Sequence, residues 1–414
     1  MAVPLPASPQ PAHARPRDRI ACDAMDAPPP PTAQTDPVPP PALVLRAPRT
    51  IATGTGFELT GRAGPRARVV VQVKVAGRWR PLAAVRADPA GRFAKAVRPP
   101  TARPGYRLRL RARDGRTSRE IVVRARDVTL AAVGDVNLGD GPGEAIAAFG
   151  ATYPWTSVAP PLRAADIAFG NLETAVSTRG APVQKQFTFR GRPSSLKAMR
   201  DYAGFDVLNL ANNHVGDYGT QALLDTVAWV RRYGMEAVGA GGSLASAAAP
   251  RVVERLGLRV AFVGFSNILP SEFFAGPARP GTQPATLPGI RASVQRARQQ
   301  ADVVIATFHW GVELAPVEDG TQRVFAQAAL DAGATAVIGA HPHVLQPIRT
   351  LDGGRRVIAY SLGNFVFSSF RASTVRTGIL HLRLSARGVE GTRFQYARID
   401  GSKPLLTGAS RTIR

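Results

Sequence analysis

From residue 128 onward the chain alternates short blocks of consecutive apolar residues with helix-length segments. The blocks at 128–133, 167–170, 207–210, 260–264, 303–308, 336–338 and 357–360 read as strands buried on both faces. The segments 220–233, 292–300 and 322–332 have helical character. This alternation predicts a layered α/β architecture over 128–414. Residues 43–127 follow a different rule. Short alternating runs at 50–51, 57–60, 69–75, 79–85, 93–97, 106–112 and 120–123 are separated by turn residues, for example at 88–91 and 114–115. That spacing predicts a small all-β unit. Residues 1–42 carry prolines at 28–31 and 37–41 and almost no large apolar side chains, so they predict an extended tail without a core.

Composition changes this picture little. The chain has 414 residues with 44% hydrophobic and 20% charged residues, ordinary values for a folded protein. It has no apolar run long enough to span a bilayer. The net charge is +24, nearly all from arginine, with lysine only at 74, 95, 185, 197 and 403. Such a field attracts polyanions. The arginines read as scattered, with no aromatic-interleaved basic motif, so no nucleic-acid partner is expected. The single cysteine, Cys22, excludes an internal disulfide. Its Arg-Ile-Ala-Cys setting lacks the apolar stretch that a lipid-attachment signal needs, and no signal peptide is visible at the start. The 43–127 stretch resembles the immunoglobulin-like modules appended to bacterial cell-surface proteins, which implies a binding or spacer role.

The candidate chemistry lies where the strand blocks end. There the sequence reads Gly134-Asp135-Val136-Asn137, Asn171-Leu172-Glu173, Asn212-Asn213-His214, His309-Trp310-Gly311-Val312-Glu313, His341-Pro342-His343 and Gly363-Asn364. Strand ends are where α/β folds build sites. Four of the six histidines stand at these ends; His13 and His381 do not. Taken alone, Asp135 and Asn213 read as turn residues and His309 as a core histidine. His341 and His343 are a stronger signal, because on an extended segment residues i and i+2 face the same side. Imidazole and carboxylate together suit manganese, zinc or iron better than calcium. A carboxylate of the second strand is placed to bridge two such ions about 3.5–4 Å apart.

In this order and wording, the motifs resemble the CapA family of capsule proteins over about residues 128–370. The family is associated with synthesis, export or anchoring of poly-γ-glutamate, and its domain is similar to calcineurin-like metallophosphoesterases. The resemblance implies a β-sandwich flanked by helices and two divalent metal ions. It assigns Asp135 and His343 to the first metal, Asn213, His309 and His341 to the second, and Glu173 to the bridging or second carboxylate place. It gives His214 the role of general acid or of stabilising the developing charge. The first motif departs from the wider superfamily, with Asn137 where a histidine is usual and Glu173 where an aspartate usually bridges. Asn137, Glu313 and Asn364 are expected to support the ligands from outside, Glu313 by orienting His309 or adding a carboxylate. Arg190, on a short strand over 187–190, is expected to grip an anionic substrate. Three functions are compatible with this: a phosphoesterase, a protein acting on or handling poly-γ-glutamate, or a non-catalytic surface protein that binds capsule polymer. The resemblance and the surface-type β module imply a place in the cell envelope or outside the cytoplasm, although no signal peptide is visible at the start.

Overall fold

The computed structural model of the chain describes residues 42–99, 104–268, 270–369 and 371–414. The tail expected over 1–42, with His13 and Cys22, lies outside the described residues save for its last position. Residues from Pro41 to Arg414 form one compact unit.

Each of the seven alternating runs in 43–127 becomes a strand, and Val44–Arg46 adds an eighth. They form two sheets. One orders Val44–Arg46, Phe57–Arg62 and Arg92–Val97. The other orders Thr50–Ala52, Ile121–Arg126, Arg107–Arg113, Arg68–Val75 and Arg78–Arg86. The two-residue period sends Val69, Val71, Val73, Leu108 and Leu110 inward, where they share one core with Leu59 and Phe93. Only Asp127 separates Ile121–Arg126 from the next strand, Val128–Val136. The N–H of Ala52 donates to Leu256 O at 2.8 Å and that of Ala386 to Thr53 O at 3.1 Å, so backbone bonds also tie the β unit to the C-terminal two-thirds of the chain.

The remainder is built on two larger sheets. In the eight-stranded sheet, Val128–Val136 lies parallel to Ile167–Leu172, and Val207–Asn209 and Glu236–Val238 continue outward in parallel. On its other side run the antiparallel strands Arg376–Ser385, Gly388–Asp400 and Lys403–Ile413, and Asn364–Val366 also pairs with Val128–Val136. The six-stranded sheet centres on parallel Leu258–Ser266, Val303–His309, Ala336–Ala340 and Arg356–Ala359. Its core joins that of the first sheet through residues such as Leu130, Phe169, Phe262, Ile305 and Leu380. Phe169 stacks on Phe262 with ring centroids 5.7 Å apart. The outer face of the first sheet packs on helical residues Ile146, Leu196, Leu223 and Val227, and that of the second on Ile290, Val294, Ala326 and Ala329. The order is therefore helix, sheet, sheet, helix, as the alternation predicts.

The expected strand blocks are all present, several extended by one to three residues. The helices are Gly219–Arg232, Leu287–Gln300 and Gly320–Asp331. Helices Asp140–Phe149 and Pro193–Asp201 were not expected; glycine and proline break the first pattern, and the second is short and mostly polar. The three C-terminal strands were also missed. Exposed Arg383, Arg393 and Arg398 interrupt the apolar residues of the first two, and the last is mostly exposed, so no apolar block announces them.

Candidate metal centre

The C-terminal ends of the central parallel strands from both sheets converge. Two close approaches fix them. A Cβ on Gly134 would lie 1.8 Å from Gly363 O, and one on Gly339 would lie 2.0 Å from Tyr360 O, so only glycine fits at either position. Asp135 follows directly, its N–H bonded to Gly363 O at 2.9 Å. The register shift between Phe169 and Asn171 sets Asn171 opposite Asp135.

Asp135 is fully buried and held at both oxygens. Oδ1 accepts from Asn171 Nδ2 at 2.8 Å, and Oδ2 accepts from the His341 N–H at 3.2 Å and lies 3.5 Å from His343 Nδ1. Asn171 also lies 3.1 Å from His309 Nδ1, and its own Oδ1 accepts from Asn209 at 2.8 Å. His309 Nε2 faces Asn213 Oδ1 at 2.8 Å, His341 Nδ1 at 3.1 Å and Glu173 Oε1 at 3.3 Å. His343 Nδ1 lies 2.8 Å from Asn364 Oδ1.

Glu173 is the exception in this network. It is fully buried, and neither carboxylate oxygen has a hydrogen-bond partner. A buried, unpaired carboxylate is costly, so such a group calls for a cation. Two groups of side chains with ligand atoms close enough to hold one ion share it: Glu173 with His309 and His341, and Glu173 with Asp135 and His343. A third group joins Glu313 to His341 and His343. The donor set thus fits divalent transition metals.

Charge follows the same geometry. Burial acts to raise the Glu173 carboxyl, but His309, His343 and His214 outweigh it and hold the group below the usual carboxylate range. Burial, then the neighbouring His309, pushes His341 well below an ordinary imidazole. Burial also acts against a charged His343, yet Glu173, Asp135 and Asn364 raise it to about 10.

His214 sits at the edge of the cluster. Its Nδ1 lies 2.7 Å from Asp217 Oδ2 and its Nε2 3.9 Å from Glu173 Oε1. Asp217 is fully buried and also takes Lys185 Nζ at 2.7 Å and the Phe189 N–H at 2.7 Å. Phe189 stacks on the His214 ring at 4.2 Å. Asp217 thus favours the His214 tautomer with the proton on Nδ1 and leaves Nε2 facing inward.

Several expectations change. His341 and His343 do not lie on an extended segment: their φ angles are 98° and 60°, so a left-handed turn after the strand brings them together. Such conformations cost about 1–3 kcal/mol each and concentrate at functional sites. Asn137 Oδ1 is occupied by the Gly139 N–H and the Thr174 hydroxyl, both at 2.8 Å, so it braces a turn. Glu313 is grouped with His341 and His343, whereas the groups beside His309 Nδ1 are Asn171 and Asp135. Arg190 stacks on Tyr218 at 4.1 Å and lines a separate cavity with Leu138 and Glu144; of the strand expected over 187–190 only Arg190 is in one, the short Arg190–Gly191. Asn171, Asn209 and Asp217 were not singled out. Asn171 stands inside a quoted motif, and Asp217 lies one helical turn beyond His214, so both carried a signal.

The sequence profile of the bacterial capsule synthesis protein family, PGA_cap, matches residues 129–369, and the chain belongs to that family. Among its relatives, the PGA biosynthesis protein CapA of Bacillus subtilis is 34% identical over 271 residues, covering 65% of this chain and 70% of that protein. The capsule biosynthesis protein CapA of Bacillus anthracis is 31% identical, covering 63% and 65%. An NAD nucleotidase structure from Haemophilus influenzae overlays 70% of this chain and 54% of its own at 10% identity, with a TM-score of 0.41, and carries no chemistry across. No helix among the described residues is long and apolar enough to cross a membrane.

Proposed function

We propose that residues 128–414 form a metal-dependent hydrolase of metallophosphatase type, with two divalent ions, acting on an anionic substrate that is a phosphoester or a bond in a poly-γ-glutamate-related polymer. The observation that carries this reading is Glu173, buried, without a hydrogen bond, and common to two ligand groups. Asp135 and His343 would hold one ion, and His309, His341 and Asn213 the other, with Glu173 shared. Ions so held supply Lewis-acid chemistry, acidifying water and offsetting charge on a substrate oxygen. His214, with its Nδ1–H held by Asp217 and a second proton on Nε2, gives that Nε2 proton to the leaving group. Residues 43–127 we read as an immunoglobulin-like module outside the chemistry.

The test is elemental mass spectrometry on purified protein beside a His341→Ala/His343→Ala variant. About two equivalents of manganese, zinc or iron, lost in the variant, are expected. Hydrolysis of generic phosphoesters should then fall by about 10²-fold or more in His214→Ala. Wild type that takes up no metal after reconstitution would refute the hydrolase. The relatives' names, as capsule and PGA biosynthesis proteins, favour a second reading, in which the chain handles capsule polymer in the envelope without cleaving it. Metal bound at the site, with all phosphoesters and poly-γ-glutamate left intact, would select that reading.

A further inference from the structure

Of the net charge of +24, residues 43–127 carry +16, from 21 arginines and lysines against 5 acidic residues. The arginines are therefore not scattered, as they read along the chain; the fold gathers them. Along Arg107–Arg113 the side chains of Leu108, Leu110 and Ala112 are buried, so Arg107, Arg109, Arg111 and Arg113 share the outer face of the five-stranded sheet. Successive members stand about 7 Å apart, a row of about 20 Å. Arg124 lies directly opposite Arg107 on the neighbouring strand, and Arg68 lies opposite Arg86 on the far side. Like charges directly opposite destabilise a sheet. Arg68, Arg86, Arg107, Arg113 and Arg124 have no acidic partner among the described residues, while Arg109 pairs with Glu120. No described residue relieves these two repulsions.

We propose that this face binds a linear polycarboxylate, an acidic polypeptide being the fitting class. Each guanidinium fork matches a carboxylate, and a flexible chain laid along the row meets several in turn. Other polyanions fit less well. Bases of single-stranded nucleic acid need aromatic faces to stack on. The one tryptophan of the unit, Trp79, is already covered by Arg111 at 4.2 Å, with Lys74 at 5.7 Å. A lipid surface needs apolar side chains to insert, and the face offers only Val122 as an exposed large one. The region lies outside the 129–369 family match, and the proposal does not depend on the metal site.

The experiment uses the full chain and fluorescently labelled poly-L-glutamate, with binding read by anisotropy across a salt series. Wild type should bind, and bind more weakly as salt rises. The variant Arg68→Gln/Arg107→Gln/Arg113→Gln/Arg124→Gln should lose at least about tenfold in affinity. A variant that loses the same charge elsewhere, Arg291→Gln/Arg296→Gln/Arg393→Gln/Arg398→Gln, should change by less than about threefold. Should the quadruple face variant misfold by thermal melt, Arg107→Gln/Arg124→Gln carries the comparison. The proposal is overturned by no binding in wild type, by equal losses in the two charge-matched variants, or by tighter binding of oligothymidylate or phosphatidylglycerol vesicles at the same salt.

Discussion

The metal centre and the arginine face of the β unit both leave charge uncompensated, but in opposite ways. At the centre it is one carboxylate, Glu173, fully buried and without a hydrogen bond, with imidazoles around it. On the sheet face it is a field of cations in water, on long side chains. Low dielectric makes the first expensive and specific; solvent makes the second cheap and diffuse. The first kind of defect selects a compact ion at a defined place. The second selects an extended partner whose exact seating matters little.

The sharpest way to break this contrast is Glu173→Gln. It removes the shared charge while keeping the volume, and should abolish the binding of both metal equivalents, measured by elemental analysis. Retention of one full equivalent would mean that Glu173 serves only one ion. Next, Asn171→Ala removes the amide that spans Asp135 and His309. Loss of such a supporting partner typically costs about 10–100-fold in metal affinity, readable by competition with a chelating dye. A smaller effect concerns protons. The folded-state pKa of His343 is raised to about 10 from an ordinary value near 6.5. In metal-free protein its contribution to stability is thus fully present below about pH 6.5 and lost as pH rises through about 10. Thermal melts of metal-free protein should show Tm falling over that window, with the fall reduced in His343→Asn. The smallest change is expected on the β face. Arg124→Thr removes a like-charge pair with Arg107 and should raise stability by about 0.2–1 kcal/mol in denaturant titration at low salt. A loss of stability there would show that the arginines are already compensated within the fold.

Much of the centre was legible because its ligands stand at the ends of continuous apolar blocks. Strand 303–309 delivers His309 and strand 336–340 leads into His341, and both blocks are visible as runs of β-branched and small apolar residues. What could not be read is whatever depends on side-chain direction. The turn that brings His341 and His343 together by left-handed backbone leaves no mark in a His-Pro-His triplet. Glu313 looks like a partner for His309 from its sequence distance, yet Asn171, far away in the chain, takes that place because two parallel strands set it there. The arginine face was missed for the same reason. A residue count along the chain does not say which face each side chain occupies, and the C-terminal strands hid because polar and charged residues interrupt their apolar ones.

The join at Asp127 has a consequence for any polymer that the protein handles. One residue separates the last strand of the β unit from the strand that delivers Asp135, and that residue is itself fixed, with Arg383 Nη1 3.1 Å from its carboxylate. There is no tether to search space with. A polymer held on the β unit, as proposed above, would therefore keep a constant position relative to the strand that delivers Asp135, and any encounter of its next segments with the strand ends would be intramolecular. Their effective concentration is then set by the stiffness of the polymer, not by the protein, and short fragments that cannot span the gap gain nothing from being held.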